Sequence, residues 1–211
     1  LVLSGRRLYL RRYWSYERRI AAALRQRLAQ QDAAPTDLAQ RLDALFGKAN
    51  PAPDALIDWQ KLACALATRS AFSIITGGPG TGKTTTVVRL LALLQAPAVE
   101  SGQPLRIRLA APTGKAAARL TESISHQVQS LEVAENVRQK IPSDVTTVHR
   151  LLGSRPGTRH FRHHAGNPLP LDVLVVDEAS MIDLEMMANL LAALPAHARL
   201  ILLGDKDQLA S

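Results

Sequence analysis

Two hydrophobic rhythms alternate along the chain. Residues 8–30 repeat at the helical period: at about 100° per residue, Tyr13, Trp14, Ile20, Ala21, Leu24 and Leu28 fall on one side. Arg11, Arg18 and Arg25 fall together on another, with Arg12 and Arg19 beside them, and Glu17 interrupts the apolar stripe without a reason the pattern supplies. A break at Ala33-Ala34-Pro35-Thr36-Asp37 precedes a short helix predicted over Leu38–Phe46, and Gly47 to Pro53 reads as a linker. From about residue 54, helical patterns alternate with short apolar runs at Phe72–Thr76, Leu105–Ala110 and Leu171–Val176. The last of these is almost unbroken, as a strand buried on both faces requires. This alternation predicts an α/β fold, a parallel sheet flanked by helices, preceded by a short helical N-terminal segment. The division is 1–50 for that segment and 51–211 for the main body.

Charge is unevenly placed. The chain of 211 residues carries 26 Lys plus Arg against 18 Asp plus Glu, a net +8. Residues 1–30 hold eight arginines and one acid, Glu17, so the main body is nearly neutral and the basic excess belongs to the N-terminal segment. Its basic face has three readings: a solvated surface, a contact for a partner protein, or a contact for nucleic-acid phosphates. At 46% hydrophobic and 21% charged, the composition is globular rather than disordered. The single cysteine, Cys64, excludes a disulfide framework and a thiolate metal cage built from this chain alone. No apolar run approaches the roughly 20 residues of a membrane span. The opening Leu1-Val2-Leu3 lacks a Met and leads into arginines rather than a signal core. The expectation is a reduced, cytoplasmic protein and a piece of a longer one.

Chemistry enters where the first apolar run ends. Phe72–Thr76 runs directly into Gly77-Gly78-Pro79-Gly80-Thr81-Gly82-Lys83-Thr84, and a helical stretch from Thr85 to Leu94 follows. This is G-x-x-x-x-G-K-[ST] after a strand and opening a helix. Glycines let the backbone wrap an anion, and the helix N-terminus adds partial positive charge. Lys83 is placed to reach the β- and γ-phosphates of ATP, and the Thr84 hydroxyl to ligate Mg²⁺. The matching half-site is the 171–176 run, which ends in Asp177-Glu178-Ala179-Ser180. Asp177 would hold the Mg²⁺ water shell, and Glu178 would orient and deprotonate an attacking water.

Further motifs carry a specific resemblance. Ala111-Pro112-Thr113-Gly114-Lys115 and the residues up to Leu120 resemble motif Ia of superfamily 1 helicases. Thr146-Thr147-Val148-His149 to Gly153 resembles their next DNA-contacting motif, and Gly204-Asp205-Lys206-Asp207-Gln208-Leu209 resembles motif III. Gln60 matches their adenine-reading glutamine. With Gly77 to Thr85, the set most resembles the RecD family, the alpha subunits of the RecBCD exonuclease V. The resemblance implies a RecA-like ATPase lobe cut off after motif III and an ATP-dependent 5′ to 3′ DNA helicase. It assigns Gln60, Gly77, Gly78, Pro79, Gly80, Thr81, Gly82, Lys83, Thr84 and Thr85 to nucleotide. Pro112, Thr113, Lys115, Thr147 and His149 fall to DNA, and Gln208 to γ-phosphate sensing. It also implies beta and gamma subunits as partners, the N-terminal helix docking on the gamma subunit.

The residues alone leave other readings open. Pro112 to Lys115 also suits an ordinary strand-to-helix turn, Thr147 suits a helix cap, and His149 suits a structural role. The segment 153–170 crowds Arg155, Arg159, His160, Arg162, His163 and His164 between Gly and Pro. It reads as a solvated hairpin or as the strand-separating pin that stand-alone RecD-like helicases place there; zinc is disfavoured for want of nearby Cys or acid. The rival functions are a stand-alone RecD-like helicase, a nucleotide-binding regulatory or kinase module without a DNA track, and an interacting subunit with a vestigial ATPase.

Overall fold

The computed structural model describes residues 1–30, 33, 35–48, 57–78, 80–155, 157–158 and 160–205. In chain order the elements are β1 (Val2–Ser4), β2 (Arg7–Tyr9), α1 (Arg11–Leu28), α2 (Leu38–Phe46), α3 (Trp59–Ala67), β3 (Phe72–Thr76) and α4 (Lys83–Glu100). They continue as β4 (Ile107–Ala111), α5 (Gly114–Gln129), α6 (Glu135–Arg138), β5 (Val145–Thr147), α7 (Val148–Leu152), β6 (Val173–Val176), a 3₁₀ turn (Ala179–Met181), α8 (Leu184–Ala193) and β7 (Arg199–Gly204).

Strands β3 to β7 form one parallel sheet in the order β3-β7-β6-β4-β5. Its central strand β6 is buried along its whole length. Alternate residues of that strand feed two cores. Val173 and Val175 join Ile107, Leu109, Ile201 and Leu203 under α4 and α5. Leu174 and Val176 join Ala110 and Leu200 under α7 and α8. Helix α4 lies so deep that even Gln95 is fully buried, satisfied by the Leu105 N–H and by the Leu105 and Lys140 carbonyls.

The N-terminal segment departs from the all-helical expectation. Residues 2–9 form an antiparallel hairpin with Val2 opposite Tyr9 and Ser4 opposite Arg7. Gly5 turns it at φ 57°, a conformation two-residue hairpin loops need. The helix therefore starts at Arg11 rather than at residue 8. Its inner stripe is Ile20, Ala23 and Leu24, packed on the core beneath α8. Tyr13 and Leu28, expected on that stripe, are 41% and 59% exposed, because the helix overruns the partner face at both ends. Glu17 is exposed. Arg27 is 3% exposed and donates to the carbonyls of Leu194 at 3.1 Å, Pro195 at 3.0 Å and Ala23 at 3.3 Å. It thereby closes the C-terminal end of α8. Helix α2 places Leu42 in the first core.

At the amino ends of the strands, Asp172 receives the Arg106 guanidinium through two oxygens at 2.8 and 2.9 Å and the Arg106 N–H at 2.8 Å. His197 Nε2 lies 3.3 Å from the same carboxylate. These contacts hold the Asp172 carboxyl well below the usual carboxylate range, the Arg106 side chain first among the causes. Among the described residues no helix is long and apolar enough to cross a membrane.

Candidate functional site

The loop after β3 closes on itself. Thr81 Oγ1 donates to the Gly78 carbonyl at 2.9 Å, and Lys83 Nζ donates to the Gly77 and Gly78 carbonyls, the latter at 2.9 Å. Gly82 sits in the left-handed region at φ 80° and starts α4, where Thr86 holds its carbonyl through both N–H and hydroxyl. A Cβ on Gly77 would meet Thr81 Oγ1 at 2.5 Å, and one on Gly82 would meet Gln60 Nε2 at 2.5 Å. Gly82 is thus favoured by its backbone shape, and both glycines lie close beneath neighbouring side chains.

Gln60 reaches the loop from the first turn of α3. Asp58 caps that turn, accepting from the Gln60 and Lys61 N–H groups at 3.0 Å. The Gln60 amide then donates to the Thr81 carbonyl at 3.2 Å. Asp58 has no part in the sequence-based site, although an aspartate just before a helical run is a legible cap. Thr84 and Thr85 follow Lys83 on α4; Thr85 lines a small cleft with Ala44, Arg89 and Gln127. Pro79 lies outside the described residues, as do Lys206, Asp207, Gln208 and Leu209.

Asp177 follows β6 directly, its N–H donating to the Ala110 carbonyl at 2.9 Å. Burial pushes its carboxyl above the ordinary carboxylate value, opposed by a backbone bond at Glu178 and by the positive charge of Lys83. The loop lysine and the strand-end aspartate, 94 residues apart in the numbering, therefore sense each other across the strand ends. Glu178 takes φ 49°, ψ 40°, the only non-glycine with positive φ among the described residues. Ser180 Oγ is buried without a hydrogen-bond partner among the described residues.

The remaining predicted residues sit farther along the same sheet end. Thr113 follows β4 and caps α5, accepting from the Ala116 N–H at 3.2 Å; Pro112 precedes it, and Lys115 is exposed in the first turn. Thr147 ends β5 and caps α7, accepting from the Arg150 N–H at 3.2 Å. His149 is exposed, edge-on to Phe161 at 6.2 Å. The pairings Thr76 with Gly204, Val176 with Leu202, Ala110 with Val176 and Ala111 with Thr147 align all these loops at the carboxyl ends of the strands. In a parallel sheet that is where ligands bind. Three strand spacings separate the Lys83 loop from the Thr113 turn, about 14 Å.

Residues 153–167 fold back twice. Ser154 pairs with Phe161 and His164 with Asn167, both antiparallel. Arg162 and His163 donate from their N–H groups to the Gly153 and Leu152 carbonyls at 3.1 and 3.0 Å. Arg159, counted in the basic segment, lies outside the described residues.

Known proteins resemble this chain. A family model described as an AAA domain matches residues 60–211. The RecBCD enzyme subunit RecD of Mycolicibacterium smegmatis is 48% identical over 213 residues, covering 100% of this chain and 36% of that one. The ATP-dependent RecD2 DNA helicase of Deinococcus radiodurans is 43% identical over 136 residues, 64% of this chain and 16% of that one. The chain spans about a third of the length of the RecD relatives it matches. Among solved structures, the UvsW helicase from bacteriophage T4 shares the fold with a TM-score of 0.53 at 11% identity, covering 83% of this chain and 61% of that one. The chain belongs to the AAA domain family, in the branch that the RecD subunits represent.

Proposed function

We propose that this chain is the first motor lobe of an ATP-dependent DNA helicase subunit of the RecD type, acting within a RecBCD exonuclease V in double-strand break repair. The observation that carries the reading is the alignment of the Lys83 loop, Asp177 and Glu178 with the Thr113 and Thr147 turns along one sheet end. A nucleotide hydrolase and a strand track set side by side are the minimum parts of a motor.

The residues fit ATP and Mg²⁺. Gly77 and Gly82 leave little space beneath the side chains of Thr81 and Gln60, the Lys83 ammonium donates to two backbone carbonyls of its own loop, and the half-buried Asp177 carboxylate senses its charge. Mg²⁺, when bound, neutralises charge developing on the phosphate oxygens. Thr84 and Asp177 are the groups to hold it. Lys83 exchanges its carbonyl partners for phosphate oxygens. Gln60 reads the adenine, Glu178 orients water and takes its proton, and Gln208 senses the γ-phosphate. Pro112, Thr113 and Lys115 with Thr147 and His149 grip a single strand through its phosphates.

The complex partners are the beta and gamma subunits, the polarity is 5′ to 3′, and the compartment is the cytoplasm. A polypeptide of these 211 residues alone is expected to turn over very slowly. In this family an arginine reaches the γ-phosphate from a second lobe, and such a group contributes 10³–10⁵ in rate. The deciding experiment is ATPase of the intact protein with and without single-stranded DNA. We expect strong stimulation, and ATP trapped without turnover in Glu178→Gln. Hydrolysis indifferent to DNA would favour a kinase or regulatory module, and purification without large partner subunits would favour a stand-alone helicase like the RecD2 relative.

A further inference from the structure

A second cationic site lies apart from the Lys83 loop. A cleft of about 550 Å³ opens between α1, α8 and the doubled-back segment 153–167. Arg19 enters it from α1, while Arg155, His160, Arg162, His163 and His164 enter from the segment, and Asn189 of α8 joins them. Among the described residues its lining includes no Asp or Glu. Among the described residues none of Arg19, Arg155 and Arg162 makes an ion pair with a carboxylate. Arg19 lies over the Tyr16 ring, 5.9 Å from its centroid. Cations from two distant parts of a chain repel one another when they converge, and an anion between them removes the repulsion.

The donors are held ready. His164 Nδ1 accepts from the Gly166 N–H at 3.1 Å, which fixes the ring on its turn. His163 Nδ1 faces the Asn167 carbonyl at 3.3 Å, and the Asn167 amide fixes the turn by donating to the Arg162 carbonyl at 2.8 Å. Side chains presented from a segment this well bonded lose little freedom on gripping a ligand.

The cleft also continues toward the sheet end. A neighbouring hollow of about 420 Å³ shares His160, Phe161 and Asn189 with it and reaches His149. The two acids of that hollow are engaged elsewhere: Asp183 accepts from the Met186 N–H at 2.7 Å, and Glu185 interacts with Arg12 and Tyr16. A continuous path therefore runs from the turn after β5 into the arginine-lined cleft.

We propose that this cleft binds the phosphodiester backbone of a nucleic-acid strand, extending the track beyond His149. The proposal rests on the nucleic-acid reading above and adds to it a site made jointly by α1 and the 153–167 segment. The experiment is fluorescence anisotropy of a labelled oligothymidylate on the full chain over a salt series. Arg19→Ala/Arg162→Ala should weaken binding roughly tenfold and lower the slope of log affinity against log salt by about 1.4, two phosphate contacts' worth. Arg19→Lys/Arg162→Lys should restore the slope, and a fluorescent ATP analogue should bind all variants alike. Wild-type affinity and slope in the double alanine variant overturn the proposal. If Lys115→Ala weakens binding while the cleft variant does not, the cleft falls and the motor reading stands. If the unaltered chain binds no oligonucleotide, both fall. Inorganic tripolyphosphate that competes at equal phosphate concentration would make the site one for free polyphosphate and end the assignment to a strand.

Discussion

Glu178 holds a backbone shape that costs an ordinary residue about 1–2 kcal/mol relative to the right-handed region. A strained residue beside a candidate reaction centre marks a place where geometry outweighs stability. Glu178→Gly is therefore expected to melt higher than Glu178→Ala, by about 1 kcal/mol in urea titrations, with both inactive in hydrolysis. Asp177 makes the same point through its proton. Its carboxyl binds a proton more tightly folded than unfolded, so folding stability declines as pH rises through the ordinary carboxylate value toward the raised one. Asp177→Asn should raise the melting temperature at neutral pH, and the gain should vanish in acid, below the ordinary value near about 3.9. Gly82→Ala should cost at least about 1 kcal/mol in the same titrations, since positive φ and the Gln60 amide both oppose the added carbon.

Helix α1 joins the lobe through three modest apolar residues and one buried cation. Replacing Arg27 by Ala strands the Leu194 and Pro195 carbonyls, and we expect a loss of about 2 kcal/mol by thermal or urea unfolding, with faster proteolysis of the first 30 residues. The helix itself was legible from its 3.6-residue period, and so was the Lys83 loop, because a strand, a glycine run and a helix are local signals. Arg27 was not legible, since its partners stand 167 and 168 positions away and nothing nearby distinguishes it from its solvated neighbours. Nor was the N-terminal hairpin: three-residue strands are too short to show alternation. The strand order follows from long-range pairing, so periodicity gave the layers without their sequence across the sheet. The contact of Gln60 with Thr81 depends on how α3 lies over the loop, and residue spacing carries no such information.

At the scale of the whole molecule, the two ends of the sheet do different work. The amino end is tied by Arg106, Asp172 and His197, and the carboxyl end is left to the candidate site. The Asp172 tie contributes stability above the ordinary carboxylate value and loses it as pH falls toward the depressed one. The melting difference between the wild type and Asp172→Asn should accordingly be full at neutral pH and shrink below about pH 4. At the opposite end, every loop that would touch a ligand grows from a rung of the same hydrogen-bonded ladder. Mutation inside a loop can change what is grasped but leaves the gap between neighbouring grips untouched. The sheet thus acts as a ruler graduated in strand spacings, and a different stride would call for another rung rather than another side chain.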